Sequence, residues 1–114
     1  MTFEQFAKIN RARWGVRSGF NHKLDSWSLS DWMTATMGEL GEAANVAKKL
    51  NRIRDGIPGN KLSENELRTM LKDEIGDVFI YLDLLSQSQG IDLEEAVRDS
   101  FNRKSRELRC PIEC

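Results

Sequence analysis

Apolar residues recur along most of this chain at steps of three and four, the period of helices packed on one face and wet on the other. Thr2 with Gln5 three residues later forms a capping box and predicts a first helix running to about Trp14, before Gly15. Between Gly15 and Ser28 the helical signals lapse. Gly15, Gly19 and Asn21 mark a loop there, with room for one short turn. A long central helix is expected from Ser28 or Ser30 to about Asp55. Gly56 supplies its left-handed stop, and Ile57-Pro58-Gly59-Asn60 makes a turn-rich linker. Ser63 with Glu66 opens the next helix, which Gly90 closes. Asp92 with Glu95 opens the last, which reaches about Arg109 before Pro111 forbids extension.

No window alternates apolar and polar residues for long, so strands are not expected and the fold class is all-α, four-helix-bundle-like. The turn residues between the two long helices predict that they fold back antiparallel. Helices of this length are marginal alone in water and need burial to persist. Leu40, Ala44, Ala47 and Leu50 are the expected buried stripe of one, and Leu71, Ile75, Val78, Leu82 and Leu85 that of the other. A chain of 114 residues suits one domain, residues 1–114.

The formal net charge of −1 gives no general pull toward nucleic acid or an anionic membrane. No apolar run approaches the ~20 residues of a membrane span. The N-terminal segment carries Glu4, Lys8, Arg11 and Arg13, which disqualifies it as a signal-peptide core. A cytoplasmic protein without nucleic-acid or membrane partners is expected. Cys110 and Cys114 have no further Cys or His nearby to complete a zinc site, and read as free thiols on a loose tail.

Four carboxylates stand where apolar residues should be. Trp32, Ala35, Glu39, Glu42, Val46 and Lys49 share one face of the central helix, and Leu67, Met70, Glu74, Asp77, Tyr81 and Leu84 share one face of the next. In each stripe two acids interrupt an otherwise largely apolar line. Isolated i, i+3 acid pairs arise by chance on solvated surfaces. Two pairs, each centred on the packed stripe of a long helix, repel one another unless a cation sits among them. Carboxylate oxygens suit a hard divalent ion, magnesium or manganese. Lys49, further along the same face, meets only part of that demand. A di-iron centre of the bundle type needs Glu-x-x-His pairs, and the only histidine, His22, follows no glutamate at that spacing.

Glu39-Leu40-Gly41-Glu42, followed by Asp73-Glu74-Ile75-Gly76-Asp77-Val78-Phe79-Ile80-Tyr81-Leu82, resembles the paired ExxE and ExxD motifs of MazG-like nucleotide pyrophosphohydrolases, in the all-α NTP pyrophosphatase superfamily. The resemblance runs from about Ser28 to Arg106. It implies magnesium-dependent hydrolysis of (deoxy)nucleoside triphosphates to monophosphate and pyrophosphate, in nucleotide-pool house-cleaning. Glu39, Glu42, Glu74 and Asp77 would hold Mg2+, with Mn2+ as a substitute. Glu39 and Glu42 are the candidate catalytic residues, with Glu42 taking the proton from the attacking water.

In relatives a basic residue and an asparagine four apart on the last helix reach the phosphates, and Arg98 and Asn102 have that spacing, with Arg103 and Lys104 adjacent. Trp32 and Tyr81, on the faces of the acids, are candidates to border the nucleotide. With Lys49, Arg98 and Asn102 they complete the substrate-binding set; Trp27 and His22 stand nearby in sequence. Two departures stand out. Gly38 replaces an acid that many relatives carry before the first motif, and the gap between motifs is long, its extra length falling in the Asp55 to Leu62 linker. Relatives assemble as dimers or as tetramers of two dimers. A homo-oligomer, a tetramer, is expected here, with Phe3, Phe6 and Ile9 of the first helix suited to an interface. The competing reading is a non-catalytic helical module that binds nucleotide or a partner protein as a regulator.

Overall fold

Side chains satisfy backbone N–H groups that the first turn of each helix would otherwise leave without a partner. In the computed structural model, which describes residues 1–114, α1 spans Phe3–Gly15 and opens on the full Thr2–Gln5 capping box. Helix α2 spans Leu29–Arg54 and is capped by Ser28 with Asp31, which decides between the two serines that the sequence left open. Helix α3, Glu64–Ser88, starts on the reciprocal Ser63–Glu66 pair, and α4, Leu93–Glu107, on the Asp92 carboxylate. A single 3-10 turn, Leu24–Ser26, lies in the loop after α1, and the chain contains no strand. All four helices begin and end within about two residues of the expected positions.

The contacts group the chain into two compact units. One comprises Trp27–Leu82, which holds α2 and most of α3. Its core is built on Trp32, Ala43, Val46 and Leu67, all buried. Gly56, at φ 68°, lets the chain leave α2, with Ile57 N–H returning to the Arg52 carbonyl at 2.9 Å. Asn60 Nδ2 then donates to the Lys49 carbonyl at 2.8 Å, which turns the linker back along α2. The two helices therefore run antiparallel, as the turn residues predict.

One part of the expected core is corrected. Leu40 is 50% exposed and Ile75 57%, and Ala44 is exposed as well. Helix α2 has two apolar flanks. The flank of Trp32, Ala43 and Val46 is the buried one, and the flank of Leu40 and Ala44 is left open.

The other unit comprises Met1–Ser26 with Asp83–Cys114, where α1 packs on α4 and on the 3-10 turn. Trp14 anchors it at 3% exposure, with the His22 ring stacked 5.4 Å away and Phe20 at 5.1 Å. Asp83, buried at the end of α3, accepts from Asn10 Nδ2 at 2.8 Å and from Gln87 Nε2 at 2.9 Å. The tail is not loose. Cys114 is tied through its backbone to the Asn102 amide, and Glu113 pairs with Arg106 at 2.8 Å, while both cysteines are free thiols. No helix is long and apolar enough to cross a membrane.

Candidate metal centre and active site

The antiparallel hairpin of α2 and α3 brings the two acid pairs together. Glu39, Glu74 and Asp77 each present an oxygen, and the three oxygens lie within 4.8 Å of one another. Glu42 lies outside this trio, and it adds to the upward shift of both Glu39 and Glu74. Their order along the helices follows from the antiparallel course: Glu39, earlier on α2, acts on Asp77, later on α3, and Glu42 meets Glu74. Each pair is one turn apart on a stripe that ends in buried residues, Trp32 and Val46 on α2 and Leu67 and Leu84 on α3.

Electrostatics make this cluster costly as it stands. Burial pushes the Glu39 carboxyl above its usual range, and the neighbouring charges of Glu42, Asp77 and Glu74 add to the shift. Glu74 is raised in the same way, first by burial, then by Glu42 and Asp77, with a contribution from Asp73. None of the four acids belongs to an ion pair; the basic side chains pair with other acids or with none. The donor set is all carboxylate oxygen, the chemistry of a hard divalent cation. Its spread approaches the roughly 4 Å separating opposite oxygens on one magnesium ion at ~2.1 Å bond lengths. The residues present fit such an ion.

A profile of the MazG nucleotide pyrophosphohydrolase domain matches residues 28–111. The chain belongs to this family. The match begins at the Ser28 cap of α2, spans both acid pairs and ends past α4. Nucleotide pyrophosphohydrolase activity is what MazG domains carry in general, and the all-helical fold agrees with it. Neither a curated protein nor a solved structure gives a significant match to the chain.

The remaining candidate residues are placed differently. Trp32 is fully buried, with the half-buried Trp27 ring against it at 4.7 Å, so Trp27 carries the accessible indole face. Tyr81 is half-buried one turn beyond Asp77. Lys49 lines a separate cavity with Lys48, Arg52 and Lys61, away from the acids. Arg98 and Asn102 belong to the other compact unit. There Arg98 lies 3.8 Å from Asp99 and borders a groove with Glu4 and Asp83. Asn102 is buried, with Oδ1 accepting from Cys114 N–H at 2.8 Å and Nδ2 donating to the Cys114 carbonyl at 3.0 Å.

Asp73, directly before Glu74 in the quoted motif, adds its charge to the cluster without joining the trio. Of the two indoles that the sequence places just before the acids, Trp27 is the more exposed and Trp32 the buried one.

Proposed function

We propose that this MazG domain hydrolyses nucleoside triphosphates, deoxynucleotides among them, between the α and β phosphates in a magnesium-dependent reaction that cleanses the nucleotide pool. The observation that carries the reading is the convergence of Glu39, Glu74 and Asp77 within 4.8 Å, with no basic partner. Bound among them, Mg2+ (or Mn2+ in its place) supplies neutralisation of the triphosphate and polarisation of the attacked phosphorus.

The chain's own residues do the rest. Glu39, Glu74 and Asp77 serve as ligands, with Glu42 completing the shell or standing free. Because Glu42 is the acid outside the trio, it is the residue assigned to take the proton of the attacking water. The water oxygen bonds to the α phosphorus as the bond to the α,β-bridging oxygen breaks, and pyrophosphate leaves. Trp27, covering Trp32, and Tyr81 offer aromatic surface for the base.

Leu29, Met33, Met37, Leu40 and Ala44 are exposed and fall within about a quarter of the α2 circumference. A continuous apolar flank of this kind on a small domain supports a homo-oligomer, a dimer of dimers, with α2 rather than α1 at the main interface. A cytoplasmic triphosphate pool is the setting this reading assigns.

The test is a panel of ribo- and deoxynucleoside triphosphates with and without Mg2+, scored for monophosphate and pyrophosphate. Metal-dependent appearance of both products supports the proposal. Calorimetric nucleotide binding with no product from any member of the panel would replace it with the regulator reading.

A further inference from the structure

Positive charge is concentrated at the end of the α2–α3 hairpin, in a chain whose net charge is −1. Lys48, Lys49, Arg52 and Lys61 line one cavity of about 460 Å³, floored by Leu62 and Leu67, and no acid borders it. The helix dipole favours cations near the end of α2, which accounts for part of the enrichment. It does not account for their isolation. Neighbouring Arg54 is neutralised by Asp55 at 2.8 Å and Arg68 by Glu64 at 3.0 Å, whereas none of the four cavity cations has an ion-pair partner.

The wall of this cavity is held in place. Arg52 Nη2 donates to the Pro58 carbonyl at 3.0 Å, and Asn60 ties the linker to the Lys49 carbonyl. Gly59, at φ 112°, passes so close that an added Cβ would lie 3.3 Å from Arg52 Nη2. Arg52 is thereby fixed while its Nε is buried with no acceptor in the chain. A buried guanidinium N–H without a partner is costly, and an anionic oxygen in the cavity would satisfy it.

We propose that this cavity binds a small polyphosphate anion at a site distinct from the acidic cluster. Four cations around one concavity match several phosphate charges better than one. The apolar floor leaves room for an organic group attached to them. Seven residues of helix separate Glu42 from Lys49, a rise of about 10 Å, so binding here does not depend on a cation among the acids. The inference goes beyond the proposed hydrolysis and stands independently of turnover.

Calorimetric titration of the full chain in EDTA, with inorganic triphosphate in one series and a nucleoside triphosphate in another, tests it. Wild type should bind in the absence of divalent metal, and Lys49→Ala with Lys61→Ala should weaken binding at least tenfold. Glu39→Gln with Glu74→Gln should bind within twofold of wild type, whatever its turnover. Arg52→Ala loosens the linker, so Arg52→Lys, which keeps the charge and removes the guanidinium donor, is the better probe, and should bind several-fold more weakly. Equal affinity for the two ligands supports a site for the polyphosphate group alone; tighter nucleotide binding supports it and assigns Leu62 and Leu67 to the nucleoside. No binding in EDTA, or unchanged affinity in the double lysine variant, overturns the proposal. Binding lost in the acid variant but kept in the lysine variant also overturns it and returns the anion to the catalytic site.

Discussion

The charge of Glu42 on α2 bears on the Glu74 carboxyl of α3 across the hairpin, and neither carboxyl pairs with a basic side chain. Two acids meeting in this way work against folding and in favour of cation binding. Stability and activity should therefore respond oppositely when one is neutralised. Glu74→Gln removes a charge from the cluster, so in EDTA it should melt above wild type. With Mg2+ it should lose turnover by about 100-fold or more, the scale on which removing a positioned charge acts. Circular dichroism melts in EDTA and a pyrophosphate-release assay check the two halves. A Glu74→Gln protein that melts lower and turns over normally would remove the cluster from the proposed site.

The pH dependence of the metal-free protein follows from the same crowding. Glu39 and Glu74 are held above their usual range in the folded chain, chiefly by burial, so the folded state keeps their protons longer than the unfolded state. Stability contributed by the protonated forms is complete below the ordinary glutamate range. It is lost as pH rises through the elevated folded values. Metal-free protein should therefore become less stable from about pH 4.5, the ordinary glutamate value, toward neutrality where these groups dominate. Added Mg2+ should raise the melting temperature more at pH 7 than at pH 5. Melts at both pH values with EDTA and with Mg2+ measure this. An equal Mg2+ effect at both would show that the raised carboxyls are not the binding groups.

The open flank of α2 gives a prediction about assembly. Met33 is 48% exposed and Leu40 50%, one above the other along the helix surface. Glutamate at both positions places charge in the centre of any interface formed there, where unpaired charge is strongly disfavoured. Met33→Glu with Leu40→Glu should sediment as a smaller species than wild type while keeping its helical signal. A wild type already monomeric at micromolar concentration would defeat the prediction, as would a double variant of unchanged size.

Most of the helical plan was legible because local signals set it. Each N-terminus rests on a side chain and a backbone group within three residues, and the acids could be read against stripes of period 3.6. What was missed depends on contacts distant in sequence. Leu40 and Leu50 obey the same periodicity, and only the course of α3 decides that the flank of Leu40 stays open. Asn102 has the family's spacing from Arg98, yet its amide is taken by Cys114, beyond the break at Pro111 that sequence alone cannot fold back. The basic cavity was invisible for a similar reason. Lys61 joins Lys48, Lys49 and Arg52 only because Gly59 and Asn60 return the linker onto α2.

The buried carboxylate of Asp83 gives the sharpest stability prediction. It is 4% exposed and accepts from Asn10, itself 2% exposed, and from Gln87, whose Nε2 also donates to the Ala7 carbonyl at 3.1 Å. These bonds join α1 to the end of α3 within one compact unit. Asn10→Ala removes a donor and leaves the carboxylate buried with fewer partners, at a cost of about 1–3 kcal/mol. In a domain of this size that lowers the melting temperature by roughly 4–8 °C per kcal/mol. Asn10→Asp is expected to be worse, because it sets a second carboxylate against the first and takes the donor away. Asp83→Asn should be milder than either, since it removes the charge that must be solvated and leaves an oxygen to accept from both amides. Thermal melts of the three variants at pH 7 rank them. Asn10→Ala melting with wild type, or Asp83→Asn falling furthest of the three, would show that this network does not hold α1 in place.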